Sequence, residues 1–109
     1  MVNVYAGFAD DLEGFIVYLN NNEFVPKASL QLVNHSPTGF SWGYAGSGPA
    51  QLALAILLNE YGQDIALRYY MDFKFDVIAQ LPREGDWRLT SPDIQDWFED
   101  YQSRNPHDL

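Results

Sequence analysis

The chain has 109 residues, 47% hydrophobic and 16% aromatic, which is enough apolar side chain to bury the core of one domain and argues against intrinsic disorder. Six basic residues stand against fifteen acidic ones, and the formal net charge of −9 disfavours direct binding to the phosphate backbone of a nucleic acid. Cysteine is absent, which excludes disulfides, thiolate zinc sites and cysteine nucleophiles.

Three strands are predicted in the first third of the chain. The runs Val2–Phe8 and Phe15–Leu19 are rich in Val, Ile, Phe and Tyr, and the residues 10–14 between them have turn chemistry. These two runs therefore predict a β-hairpin. Leu30 and Leu32 alternate with polar residues, which is typical of a third strand with one buried face.

The segment His35–Gly48 predicts an ordered loop. It is rich in glycine, and aromatic side chains at every second position can pin such a loop to the surface beneath it. These aromatic residues are Phe40, Trp42 and Tyr44.

A buried helix follows this loop. Pro49 suits the first turn of a helix, Ala50–Tyr61 consists mostly of strong helix formers, and Gly62 supplies a stop. Ser47 or Gly48 is expected to be its N-cap. Nearly every face of this helix is apolar, so we expect it at the centre of the domain.

Two further helices and a short strand are predicted in the second half. Asp64 can cap a helix that reaches Leu81, and Trp87–Leu89 predicts a fourth strand. The last helix has Ser91 as its expected N-cap and continues to about Gln102. One side of this last helix carries an apolar stripe of Ile94, Trp97, Phe98 and Tyr101.

The order of these elements predicts an α+β domain over residues 1–104, followed by a frayed tail over 105–109. We expect a three- or four-stranded antiparallel sheet with about three helices, one of them nearly fully buried. The longest apolar stretch is far shorter than the roughly 20 residues that cross a bilayer, and no secretory signal pattern is visible. The expected location is therefore the cytoplasm, without membrane contact.

The segment 35–57 carries the most specific sequence pattern. It contains HSPTGF, WGY and GSGPAQLALAIL in this order. This block resembles the signature of a small family of uncharacterised proteins, a domain of unknown function found in bacteria, archaea, phages and plasmids. The resemblance implies no activity. An origin in mobile elements would imply an accessory role, such as interference with a host defence system.

A phosphate-binding site is one interpretation of the glycines in this block. Gly46, Ser47 and Gly48 can turn backbone N–H groups toward one point at a helix start, where the helix dipole favours an anion, and His35 and Arg68 would assist. This interpretation predicts a module that binds a nucleotide or a signalling phosphate. Alternatively, the glycines only allow a tight turn and close packing of the helix. No Walker or dinucleotide-binding pattern is present.

Catalysis and metal binding find little support in the sequence. His35 is the sole histidine inside the predicted fold, because His107 lies in the tail. No nucleophile, base and orienting group can be named together, and no paired-histidine spacing suggests a metal. We expect a protein that is not an enzyme and that uses no cofactor or metal.

The preferred hypothesis is an acidic interaction protein that binds a partner protein with a basic surface. The candidate contact residues are Trp42 and Tyr44 in the loop and Asp93, Asp96, Glu99 and Asp100 on the last helix. A phage or other mobile element would use such a protein to inhibit a host nucleic-acid-binding defence system such as CRISPR–Cas. In the simpler interpretation, the loop aromatics cover the core and the acidic residues form an ordinary solvated face of the last helix. A homo-oligomer is a further alternative.

Overall fold

A computed structural model describes residues 2–12 and 14–106, and it shows an α+β fold, as the order of elements predicts. Its described part contains a four-stranded antiparallel sheet and four helices. The strands are β1 (Val4–Asp10), β2 (Gly14–Leu19), β3 (Asn22–Glu23) and β4 (Trp87–Thr90), and the helices are α1 (Lys27–Leu30), α2 (Ser47–Tyr61), α3 (Gln63–Asp76) and α4 (Ser91–Arg104).

The sheet has the order β3-β2-β1-β4, so the predicted hairpin forms its centre and β4 pairs with the far side of β1. Tyr5 is opposite Leu19 and Leu89, and Gly7 is opposite Val17 and Trp87. Because side chains alternate along a strand, these residues share the face that is buried in the core. Gly7 lacks a Cβ where the indole of Trp87 lies, which allows the ring to pack directly on β1.

Helix α2 is the centre of the core, and every residue over 48–57 is buried. Its N-cap is Gly46, one or two residues before the expected Ser47 or Gly48. Gly62, with a φ of 89°, ends it as expected, because glycine adopts this conformation without steric cost.

The prediction of a strand over 29–32 is wrong. Lys27–Leu30 form a single helical turn, and the third strand is the two-residue Asn22–Glu23. Four alternating residues are too few to separate a strand from a helical turn. Moreover, the polar Ser29 is the buried residue here, and its hydroxyl donates to the carbonyl of Pro26.

The second predicted helix is shorter than expected. It begins after Gly62, so that Asp64 lies in the first turn instead of capping the helix, and it ends at Asp76. Val77, with a φ of −120°, is the C-cap, and a separate 3₁₀ turn over Ile78–Gln80 follows. The carbonyl of Ile78 accepts a hydrogen bond from the backbone N–H of Gly43, which ties this turn to the glycine-rich loop.

The last helix begins with a capping box centred one residue earlier than expected. Thr90 is the N-cap: its hydroxyl accepts from the Asp93 backbone N–H, and the Asp93 carboxylate accepts from the Thr90 N–H. Ser91 accepts instead from the backbone N–H of Asn3, joining α4 to the start of β1. Asn105 closes the helix at its other end. Residues 107–109 of the predicted tail, with His107, lie outside the described residues.

Candidate functional site

The start of α2, where the sequence suggested a phosphate site, is covered by its own loop. Gly48 and Pro49 are buried. The Ser41 side chain occupies the space where a Cβ of Gly48 would stand, and the Tyr44 ring lies against Gly46 in the same way. The hydroxyls of Ser41 and Tyr44 are 2.9 Å apart and hydrogen-bonded. The geometry therefore gives these glycines a packing role.

Gln51 attaches the loop to α2, a function that the sequence did not reveal. This fully buried side chain accepts from the backbone N–H groups of His35 and Ser36 at 2.8 and 3.1 Å. It also donates to the Ser29 hydroxyl at 2.8 Å and to the Val33 carbonyl at 3.2 Å. A polar residue within the apolar run of α2 was the available signal, because a buried amide requires hydrogen-bond partners.

The two expected helpers of a phosphate are engaged with neighbouring side chains. The His35 Nε2 atom is 2.8 Å from the hydroxyl of Tyr70 on α3. Arg68 is exposed on α3, and its guanidinium lies 5.4 Å from the centroid of the Tyr69 ring. His35 is thereby held between α2 and α3, which fits a structural role.

The two loop aromatics differ in exposure. Trp42 is fully buried; its indole N–H donates to the Pro82 carbonyl at 3.0 Å, and its ring meets Phe15 and Trp87 edge to face. Trp42 thus has no free surface for a partner, and the expectation that it is a contact residue is corrected on this ground. Tyr44 is 38% exposed and carries the Arg83 guanidinium 4.9 Å from its ring centroid.

The four acidic residues proposed from the sequence lie on the exposed side of α4. We call this set, Asp93, Asp96, Glu99 and Asp100, the α4 acidic face. Asp93 also completes the capping box, and Asp100 pairs with Arg104 at 2.8 Å. The hydrogen bond from Arg104 to Asp100 raises the pKa of this guanidinium above its usual value.

A groove of about 490 Å³ opens beside this face, between the end of α2, the start of α3, and α4. We call it the acidic groove, because its described lining includes two carboxylates and no basic side chain. The lining residues are Glu60, Tyr61, Ile65, Ser91, Gln95, Phe98, Glu99 and Gln102. Of these, the sequence singled out only Glu99 for a binding role.

Glu60 is held in place by Tyr5 of β1 and by Asn3, which directly precedes β1. Its Oε2 atom accepts from the hydroxyl of Tyr5 at 2.6 Å and from Nδ2 of Asn3 at 2.7 Å. The Tyr5 oxygen accepts in turn from Nδ2 of Asn59 at 2.7 Å. Burial, and then the hydrogen bond to Glu60, raise the pKa of Tyr5 well above its usual range.

The negative charges of Glu60 and Glu99 both act on the Tyr61 hydroxyl. Burial raises the pKa of its hydroxyl, and the negative charges of Glu60 and Glu99 raise it further. Its ring contacts Phe98 edge to face, with centroids 5.1 Å apart. The groove therefore combines an aromatic wall with concentrated negative charge.

Comparison with family models shows to which family the chain belongs. One such model matches residues 5–100. The chain belongs to DUF6166, a family of unknown function. The matched part of this DUF6166 protein contains the covered start of α2 and, except for Gln102, the whole acidic groove. No curated protein and no solved structure matches the chain.

Membrane-spanning helices and metal-binding clusters were sought among residues 2–12 and 14–106. None of their helices is long and apolar enough to cross a membrane. They also contain no group of three or more histidine, aspartate or glutamate side chains placed to hold a metal ion.

Proposed function

We propose that this DUF6166 protein is a non-catalytic interaction protein that docks on a basic surface of a partner protein through the α4 acidic face. The observation that carries the proposal is the exposure of four acidic side chains along one helix in a chain of net charge −9. Complementary charge accelerates association with a basic surface and disfavours acidic partners.

Helix α4 is suited to present these charges because it is fixed at its start and along its inner side. The capping box holds the first turn, and Ile94, Phe98 and Tyr101 are buried in the core. Trp97 adds a hydrogen bond from its indole N–H to Asp76 at 2.9 Å. A rigid face loses little conformational entropy on binding, which favours affinity.

The partner class that we propose is a host defence protein whose basic groove otherwise binds nucleic acid, as in CRISPR–Cas systems. An acidic helix face and the backbone of a nucleic acid both present negative charge to a basic groove, which supports this partner class. The protein would then act in the cytoplasm as an inhibitor carried by a phage or another mobile element.

The test compares two double variants of equal net charge. Asp96→Asn/Asp100→Asn removes two charges from the α4 acidic face, whereas Asp11→Asn/Asp86→Asn removes two exposed charges elsewhere. Binding is measured against purified CRISPR–Cas effector proteins at low and at physiological salt, with and without the nucleic acid that each effector binds. The α4 variant should bind about fivefold more weakly, and the control should bind like the parent.

Nucleic acid should compete with the parent protein for the effector, and added salt should weaken the complex. Equal binding by the two double variants would contradict docking through α4. A complex that forms undiminished in the presence of nucleic acid would contradict the proposed mode of inhibition.

A further inference from the structure

We propose that the acidic groove receives an arginine side chain of the protein partner. This inference rests on the proposed function and deepens it, because it gives the docking surface a specific recognition point. The groove lies beside the α4 acidic face and shares Glu99 with it. When α4 docks on the partner through its acidic face, it therefore brings the acidic groove against the same partner.

The charges around the groove favour a cation. Glu60 and Glu99 come from α2 and α4, and no basic residue occurs in the last turn of α2 to offset the partial negative charge at its C-terminal end. Both hydrogen bonds to Glu60 use Oε2, which leaves the second carboxylate oxygen to accept from a ligand. The carboxylate is therefore oriented before any partner arrives, which lowers the entropic cost of binding.

The aromatic wall favours arginine over lysine. Tyr61 is 37% exposed, and its edge-to-face contact with Phe98 fixes the ring beside the two carboxylates. A planar guanidinium stacks on such a ring and directs its N–H groups at carboxylate oxygens, whereas the compact, strongly hydrated ammonium of lysine does so less well. The side-chain carbonyls of Gln95 and Gln102 in the lining can accept the remaining N–H donors.

The size of the groove also fits a side chain inserted from outside. Its volume of about 490 Å³ exceeds that of one arginine side chain and it is open to solvent, so a partner can insert the side chain from outside.

The first test uses a blocked tripeptide, acetyl-Gly-Arg-Gly-amide, and the whole protein. Binding is followed by the backbone amide NMR signals of Tyr61, Gln95 and Glu99. The arginine peptide should shift these signals saturably, and the lysine peptide should shift them less at the same concentration. The peptide with citrulline in place of arginine has the same shape without the charge and should leave the signals unchanged.

The second test uses variants with matched controls. Tyr61→Leu and Glu99→Gln should each weaken peptide binding about three- to fivefold. Phe8→Leu removes an exposed aromatic ring of β1, and Glu84→Gln removes an exposed carboxylate, and neither residue lines the groove. Both controls should bind the peptide like the parent, and a folded-state NMR spectrum of each variant shows that the changes are local.

The ionisation of Tyr61 supplies an independent signal. Bound arginine places positive charge beside Glu60 and Glu99, so the pKa of the Tyr61 hydroxyl should fall toward its ordinary value in an absorbance titration, and this fall should be absent in Tyr61→Phe.

Equal shifts from the arginine and citrulline peptides, or no shifts from either, would overturn the inference. That outcome is distinct from failure of the proposed docking, which is judged by the Asp96→Asn/Asp100→Asn variant, whose two altered residues lie outside the groove lining.

Discussion

The two ends of α2 show opposite uses of polar groups. At the N-terminal end, the Gln51 amide and the Ser41 hydroxyl are buried and engaged within the protein. At the C-terminal end, Glu60 and Tyr61 are only partly covered, and they line an open groove. The end with the specific sequence block is thus closed by packing, whereas the end without an evident motif faces solvent with negative charge.

The difference teaches that glycines at a helix start do not by themselves make an anion site. Their backbone groups favour an anion only where the anion can approach, and here Ser41 and Tyr44 occupy the space that the missing side chains leave. At the other end, Tyr5 of β1 and the preceding Asn3 fix Glu60 while the groove remains open.

The largest expected effect would come from breaking the closed end through Gln51→Leu. The substitution removes the partners of two backbone N–H groups, of the Ser29 hydroxyl and of the Val33 carbonyl. A buried polar group left unsatisfied costs about 1–3 kcal/mol. Three of these four groups belong to partly buried residues that water reaches in part, so the free energy of unfolding should fall by about 3 kcal/mol in a denaturant titration.

Gln63→Leu is the matched control, since Gln63 is exposed on α3, and it should change stability by less than about 0.5 kcal/mol. If Gln51→Leu proved as stable as the parent, the loop would not depend on this side chain and the two ends of α2 would be less different than we infer.

Gly48→Ala should have the next largest effect. The added methyl would stand 3.0 Å from Ser41 Cβ and 3.1 Å from its backbone nitrogen, and overpacking of this kind costs about 1–3 kcal/mol. The neighbouring Ser47 is exposed, so Ser47→Ala should lie within about 0.5 kcal/mol of the parent in the same denaturant titration.

A thermal-shift panel of nucleotides completes this test, because a ligand at 100 times its dissociation constant adds about 2.7 kcal/mol of stability. We expect no shift in the parent. A nucleotide-induced shift that Gly48→Ala abolishes would restore the phosphate site at the start of α2.

The smallest expected effect is a loss of stability at alkaline pH through Tyr5, which holds Glu60 at the open end of α2. The pKa of Tyr5 is higher in the folded protein than in the unfolded chain. The stability that the neutral hydroxyl contributes is therefore fully present below about pH 10, and it is lost as the pH rises toward the folded-state pKa. The free energy of unfolding should therefore decline above about pH 10, by at most about 1.4 kcal/mol per pH unit for this group.

Tyr5→Phe should make this decline shallower in denaturant titrations at several pH values. Tyr61→Phe should retain more of the parent's decline, because Tyr61 is 37% exposed and Tyr5 is fully buried. Equal slopes for the parent and Tyr5→Phe would show that the Tyr5–Glu60 pair does not couple ionisation to folding.

Much of the fold could be predicted because it depends on local patterns. The hairpin, the buried character of α2 and the apolar stripe of α4 each follow from the spacing of side chains within one element. The errors occurred where a distant residue decides the outcome: Ser29 is buried because it meets Gln51, and α3 is interrupted near Ile78, whose carbonyl is bonded to Gly43.

The acidic groove lay beyond prediction for the same reason. Glu60 is one of many acidic residues in the sequence, and only the fold brings Tyr5 and Asn3 to it from 55 and 57 positions away. The sequence by itself determined which faces of its helices are apolar and how much negative charge the surface carries, since both are properties of residue order and composition. The tertiary structure alone decided which polar groups are enclosed and which remain open, because enclosure depends on the packing of segments that are far apart along the chain.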